Sequence, residues 1–346
     1  MHLATTSIAL CLATVLGIST RLCSAEPIAG FVVNKLGYVV LPDGRRLAYA
    51  EYGDPNATQI IIHHHGIPSC RFDGETFIEY LRCRPGVRLY VLDRPGIGCS
   101  DPYACKSFLN WPADLKCFAD ALKIEKFAVM GCSGGTPYAL AVARAMPDRV
   151  TVVSIACPMA PLEAVGRKTG TGAIGALMAV RHPVLSRATL ATFANAERRR
   201  PGRMPLLARI ASPADRNLLR DVNERYYLAH IVDEAFRQGT AQVAHEAALL
   251  QSPWDYWLAD VKAAVNIIGG CQDGIAPPVM AKYLAARLPN ARLTLYPGEA
   301  HMSLGRLRAG DLLDGAILAK EPAAISAQVE PSSASRREQP TPRNAP

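Results

Sequence analysis

Two kinds of apolar segment alternate along the middle of the chain. Short runs rich in Ile and Val, at 37–41, 47–52, 59–64, 87–92, 127–130, 150–155, 265–268 and 292–296, have the length and side-chain character of strands. Longer stretches with helical spacing lie between many of them, at 111–122, 136–146, 279–288 and 303–318. Strand and helix in series predict an α/β fold: a mostly parallel central sheet with helices on both faces. A first hairpin, turning at Asp43-Gly44, supplies an antiparallel edge.

The alternation stops after Pro158 and resumes near Val265. The stretch between reads as helices, loops and basic residues, and it enters after the sixth strand, at the carboxyl ends where open α/β sheets bind ligands. It is therefore expected to be a helical lid, 158–262, inserted into a core made of 30–157 and 263–319. Before the core, residues 8–18 form an apolar run followed by Cys23-Ser24-Ala25, a small-x-small tripeptide that signal peptidase could cut before Glu26. Residues 1–25 thus read as a signal peptide, giving an extracytoplasmic location. The positive n-region is weak, with only His2 and the terminal amine and with Arg21 on the far side, so a cytoplasmic location is the alternative. Residues 320–346, rich in Pro, Ser, Ala and Gln without an apolar period, read as a disordered tail.

Composition narrows the class further. Of 346 residues 49% are hydrophobic and 20% charged, which excludes disorder or a coiled coil for the bulk. The ten cysteines fall well short of the roughly 8 to 10% of a disulfide scaffold, and none are spaced Cys-x-x-Cys as a thiolate zinc site would need. The net charge of +8 raises the possibility of nucleic-acid binding. Its densest cluster, Arg198, Arg199, Arg200 and Arg203, has no interleaved aromatics for base stacking and reads as a solvated loop face. No nucleic acid and no obligate protein partner are expected.

Gly131-Cys132-Ser133-Gly134-Gly135 follows a strand and precedes a helix. In Gly-x-Ser-x-Gly the nucleophile sits in a strained turn, and the residues two before and two after it must be small for strand and helix to approach. Centring the turn on Cys132 would place bulky Met130 at the first small position, so Ser133 is the expected nucleophile. A serine hydroxyl needs a base and a group to hold that base, in the order Ser, acid, His. His301, just after the last strand, is the base, because His2 precedes the domain, His63 to His65 belong to the third strand and its loop, and His182, His230 and His245 lie in the insertion. Asp273, in the turn after the strand at 265–268, is the acid; Glu299 would have to fold back within two residues. An ordinary imidazole base sets the rise of activity at an apparent pKa of about 6 to 7.

The oxyanion of acyl transfer needs preset N–H donors. Gly134, after the nucleophile, and Ile67, in His65-Gly66-Ile67-Pro68, are expected to supply them. His63, His64 and His65 alternate faces of a strand and do not converge on one metal ion. Gly170-Thr171-Gly172-Ala173-Ile174-Gly175 matches a dinucleotide fingerprint, but no strand leads into it. No metal and no cofactor are expected.

These motifs together resemble the α/β-hydrolase fold superfamily, in its lid-bearing, esterase-like serine branch, from about Gly37 to Leu318. His65-Gly66-x-Pro68 resembles the oxyanion loop, and Asp93-Arg94-Pro95-Gly96-Ile97-Gly98-Cys99-Ser100 the loop after the fourth strand. Gly131 to Gly135 resembles the nucleophile elbow, while Gly270-x-x-Asp273 and Gly298-Glu299-Ala300-His301 resemble the segments that supply acid and base. Relatives often carry Gly where this chain has Ser69 and Ala300. Positive φ at Ala300 would cost about 1 kcal/mol. Carboxylate-nucleophile relatives are argued against by Ser133.

The resemblance leaves the substrate open, because the same triad serves esterases, lipases, thioesterases and aminopeptidases, and the leading expectation is a hydrolase of carboxylic esters with a small acyl-bearing substrate and an acyl-serine intermediate. An aminopeptidase, an amidase or another acyl-transfer enzyme on the same triad is the alternative, and a non-catalytic small-ligand binder of this fold is the second. The aromatics Trp254, Tyr256 and Trp257, near the end of the insertion, either line an apolar pocket or pack insertion to core.

Overall fold

All eight apolar runs read as strands pair into one sheet in the computed structural model, which describes residues 33–103, 105–161, 183–199, 203, 211–317 and 328–329. They are β1 (Lys35–Val40), β2 (Arg46–Gly53), β3 (Gln59–His64), β4 (Val87–Leu92), β5 (Phe127–Cys132), β6 (Val150–Ala156), β7 (Ala264–Gly270) and β8 (Ala291–Tyr296). A two-residue β9 (Gln328–Val329) joins parallel to β8, so two residues of the expected tail are paired; the rest of the tail lies outside the described residues. The order is β1-β2-β4-β3-β5-β6-β7-β8-β9. β1 pairs antiparallel with β2 through a turn at Gly44, where φ is +85°, and β2 pairs antiparallel with β4. Every other pairing is parallel.

Burial follows position in the sheet. The inner strands β4, β5 and β6 are buried along nearly their whole length, as a sheet covered on both faces requires, whereas edge strand β1 exposes Tyr38 and Val40. The chain passes from β3 outward to β4 and returns to β5 on the other side of β3. That reversal opens a crevice at the carboxyl ends of β3 and β5.

Ten α-helices fall within the described residues: α1 (Ile78–Arg82), α2 (Trp111–Ala121), α3 (Thr136–Ala145), α4 (Pro183–Arg199), α5 (Pro213–Leu218), α6 (Val222–Ala235), α7 (Ala241–Leu250), α8 (Pro278–Arg287), α9 (His301–Leu307) and α10 (Ala309–Ile317). α2, α3 and α8 share an apolar core with the sheet, to which Trp111, Leu115 and Phe118 of α2 contribute at helical spacing. α10 lays Ala309, Leu312, Leu313 and Ala316 on β5, β6 and β7. The single helix expected over 303–318 is two, broken at Arg308. Its apolar period resets there: buried Leu304 and Ala309 are five apart, a spacing that one straight helix cannot hold on one face.

Between β6 and β7 the described residues form α4 to α7 and short turns, with no strand. Gly170 to Gly175 lie outside the described residues, as does the apolar leader. Arg198 and Arg199 end helix α4 rather than occupying a loop, and Arg198 pairs with Asp233. Among the described residues no helix is long and apolar enough to cross a membrane.

The inserted helices are joined to the core by arginine–glutamate pairs. Arg94, after β4, bonds Glu246 of α7 at 2.6 and 3.0 Å, and Arg71 bonds Glu234 of α6 at 2.6 Å. Arg306 of α9 bonds Glu224 of α6 at 2.7 and 2.9 Å. The first two pairs are almost wholly removed from water.

Glu75, in the same region, is buried, and neither carboxylate oxygen has a hydrogen-bond partner among the described residues. Burial lifts its carboxyl to about 7, against the pull of Arg306. A buried acid raised in this way leaves the fold most stable below the unfolded pKa and weakens it as pH climbs through about 7. The full penalty is on the order of 3 kcal/mol. Glu75→Gln is therefore expected to raise Tm at pH 8 by several degrees and to leave it near the wild-type value at pH 4. Equal shifts at both pH values in a thermal melt would reject this account.

Candidate active site

The turn after β5 is shaped by what its neighbours cannot carry. A Cβ on Gly135 would lie 2.0 Å from the His64 carbonyl oxygen, and one on Gly131 would lie 2.9 Å from Ala139 Cβ. Both positions require glycine so that β3, β5 and α3 can approach. Between them Ser133 is held at φ +50°, in the left-handed region that a side chain rarely enters. The strain falls on Ser133 and not on Cys132, whose φ is −120°.

Ser133, Asp273 and His301, from three strand ends, come together. His301 Nε2 is 2.9 Å from Ser133 Oγ, and His301 Nδ1 is 2.8 Å from Asp273 Oδ2. Asp273 does two jobs with its two oxygens, since Oδ1 accepts from the N–H groups of Ile275 and Ala276 at 2.8 and 2.7 Å and fixes the turn after β7. Glu299 instead accepts from Arg308 at 3.1 Å. Ala300 is extended, with φ −122°, so it carries no left-handed strain in place of glycine.

Gly66 and Ile67 sit beside the same turn: a Cβ on Gly66 would be 3.6 Å from Ser133 Cβ, and one on Gly134 would be 2.9 Å from the Ile67 side chain. Arg94 holds this loop by donating to the carbonyls of His65 and Gly66 at 2.7 and 3.1 Å. The three histidines take separate partners. His63 Nε2 lies 2.8 Å from Asp73 Oδ2, His64 Nδ1 3.0 Å from the Met130 carbonyl, and His65 Nδ1 2.9 Å from the Gly66 carbonyl. Burial drives the His64 pKa down to about 3 and depresses His65 as well.

Among the described residues, two clusters bring three potential metal-ligating groups together, Cys157 with Asp273 and His301, and Asp93 with Cys99 and Glu234. In the first, Asp273 and His301 are bonded to each other; in the second, Arg71 bonds both carboxylates at 2.6 Å. The contacts already engage the donors that an ion would need.

Ser133 and His301 open onto a cavity of about 230 Å³. Core residues Ile67 and Phe77 and insertion residues Phe193, Leu219, Ile231 and Val232 give it a mainly apolar wall. Polar groups interrupt this wall, and several of them are linked. Tyr227 hydroxyl lies 2.8 Å from Thr76 Oγ1 and 3.3 Å from Asp73, and Arg306 also donates to Thr76 at 2.9 Å. Sequence reading missed these residues and also Asp215, a buried cavity-lining carboxylate of α5. Trp254, Tyr256 and Trp257 do not line the cavity: Trp254 meets Phe108, Tyr256 donates to the Pro137 carbonyl at 2.8 Å, and Trp257 is exposed.

Comparison with known proteins agrees with this arrangement. Residues 59–305 match the family model described as alpha/beta hydrolase fold. A proline iminopeptidase from Neisseria gonorrhoeae is 31% identical over 124 residues, covering 33% of this chain and only 37% of that protein. Among solved structures, an alpha/beta hydrolase enzyme from a Medee basin deep-sea metagenome library has a TM-score of 0.61 at 19% identity, covering 84% of this chain and all of that one. A thermophilic esterase from Thermogutta terrifontis has a TM-score of 0.56 at 19% identity, over 81% and 96% of the two chains. At such identity these structures share the fold.

Burial alone would depress the His301 imidazolium, but the Asp273 carboxylate overrides it and raises the pKa to about 9. A raised imidazolium stabilises the fold fully below about 6.5, and that contribution fades as pH rises through about 9. The His301 ring resonance in an NMR titration is expected to turn over near 9 and to fall by more than about one unit in Asp273→Asn. A midpoint near 6.5 in both proteins would contradict the coupling.

Proposed function

The chain belongs to the alpha/beta hydrolase family, whose members are hydrolases, and from that premise we propose that it cleaves carboxylic esters through an acyl-serine intermediate. The observation that carries this reading is the unbroken hydrogen-bond series Ser133–His301–Asp273 at the floor of a mainly apolar cavity. In the proposed reaction Ser133 Oγ attacks the ester carbonyl carbon while His301 Nε2 takes its proton. Backbone N–H groups of Gly134 and Ile67 receive the oxyanion. His301 then passes the proton to the departing alcohol, and water, activated by the same imidazole, releases the acid and frees Ser133. Asp273 keeps the imidazole oriented and favours its charged form.

The inserted segment is, in this reading, a lid whose inner wall shapes the acyl pocket. An aminopeptidase is the second reading, favoured by Asp73, whose carboxylate stands within the cavity wall beside Tyr227. Three features support the ester reading over it: the cavity wall is mainly apolar, Glu224 is already paired with Arg306, and an alcohol leaves more readily than an amine.

Replacement of Ser133 or His301 by Ala is expected to lower kcat on an activated ester by about a thousandfold or more with the fold intact. The acid limb of kcat/KM should lie near 9, above the 6 to 7 of an unperturbed imidazole. Hydrolysis of short to medium acyl p-nitrophenyl esters should exceed that of matched amino-acid p-nitroanilides by at least about a hundredfold, while a fluorophosphonate labels Ser133 and not Cys132. Labelling with faster anilide cleavage would move the assignment to the peptidase. Absence of labelling and of steady turnover would favour a binding protein.

A further inference from the structure

The reaction above leaves unused one buried carboxylate beside the base. Asp215 belongs to α5, in the inserted segment, and is 4% exposed. Its Oδ1 accepts from the backbone N–H groups of both Met302 and Ser303, each at 2.9 Å. These are donors of the first turn of α9, which begins at His301, and a helix leaves such donors without partners of its own. Ser303 Oγ accepts from the Ala300 N–H at 2.8 Å and completes the cap locally.

Among the described residues, the other polar contacts of His301 itself come from the core. Cys157 Sγ, after β6, donates to the His301 carbonyl at 3.0 Å, and Asp273, after β7, holds Nδ1. Ser133 and Cys132 face the ring from the end of β5. From the insertion, Asp215 reaches the first turn of His301's helix, while Glu224 holds its far end through Arg306.

We propose that Asp215 is a positioning residue for His301, capping α9 from the inserted segment so that correct placement of the base depends on that segment being seated. The inference rests on His301 acting as the general base. Two backbone donors at short distance compensate for burying the carboxylate, and an acidic group at a helix N-terminus is favoured by the helix dipole. Burial raises the Asp215 carboxyl, while those N–H groups and the nearby His301 pull it back down. In its ionised form Asp215 adds a second negative charge beside the imidazolium, after that of Asp273. A hinge of the inserted segment away from the core would break both hydrogen bonds at once and release the first turn of α9.

The test compares the full-length chain with Asp215→Ala and Asp215→Asn on one p-nitrophenyl ester, across the acid limb of the profile, together with the rate of fluorophosphonate labelling at Ser133. Because misplacing a catalytic group by about 1 Å costs up to about a hundredfold, Asp215→Ala should lose about 10- to 100-fold in kcat and in labelling rate, with KM within about threefold. Asp215→Asn keeps an oxygen for the two N–H groups and should recover most of kcat on the alkaline plateau. Having lost the charge, it should also move the acid limb of kcat/KM to lower pH. Wild-type kcat and pH limb in both variants would overturn the proposal. So would an equal loss in both with an unmoved limb, because a merely structural contact would give that result along with a lowered Tm. His301→Ala turning over at the wild-type rate would remove the base itself, a failure distinguishable from that of Asp215, which is read only in chains that retain His301.

Discussion

The absent side chain of Gly135 is the constraint from which the site is built. Only without a Cβ there can the turn after β5 rest against the His64 carbonyl at the end of β3. That approach brings Gly66 and Ile67 beside Ser133, and it forces the left-handed backbone that carries the hydroxyl. The reversal of chain direction at β3 opens the crevice into which these groups project. Tight backbone contact, rather than side-chain chemistry, decides where the chemistry can take place.

Around this rigid point two electrostatic demands oppose each other. Removing His301 from water favours its neutral form, which a base needs, whereas Asp273 beside it favours the cation, which the reaction generates. The second demand prevails in the resting arrangement. Below about 9 the imidazole therefore rests as the cation, and above it the environment already matches the charge that develops as Ser133 gives up its proton. The apolar wall from the insertion strengthens both influences by keeping solvent screening low.

Much of this was legible in the chain because it is written in local patterns. The strands showed as short apolar runs, and Ser133, Asp273 and His301 each followed one of them, at a position where glycine spacing or a turn marked the strand end. Long-range pairing was not legible. Asp215 meets α9 from 87 and 88 positions away, and Arg71 meets Glu234 across 163, distances over which neither period nor spacing leaves a trace. The break at Arg308 escaped notice because helix-forming residues continue through it while only the buried face changes phase. Trp254 and Tyr256 showed the converse: aromatic content was evident, but which surface it would cover depends on Phe108 and Pro137, far away in the chain.

The arginines that hold the insertion also bear on how independent it can be. Arg94 grips Glu246 on one side and the His65 and Gly66 carbonyls on the other, and Arg71 is shared between Asp93 and Glu234. Stripping the carboxylates from such buried pairs leaves stranded charge, at a cost of about 3 to 5 kcal/mol for each pair broken. An insertion exchanged between relatives must therefore bring acidic residues at the places of Glu234 and Glu246, or the loop beside the nucleophile loses its support. Modular in sequence, the segment is not modular in energy, and a shortened core without it would inherit buried guanidinium groups that have lost their glutamates and keep only Asp93 and the His65 and Gly66 carbonyls.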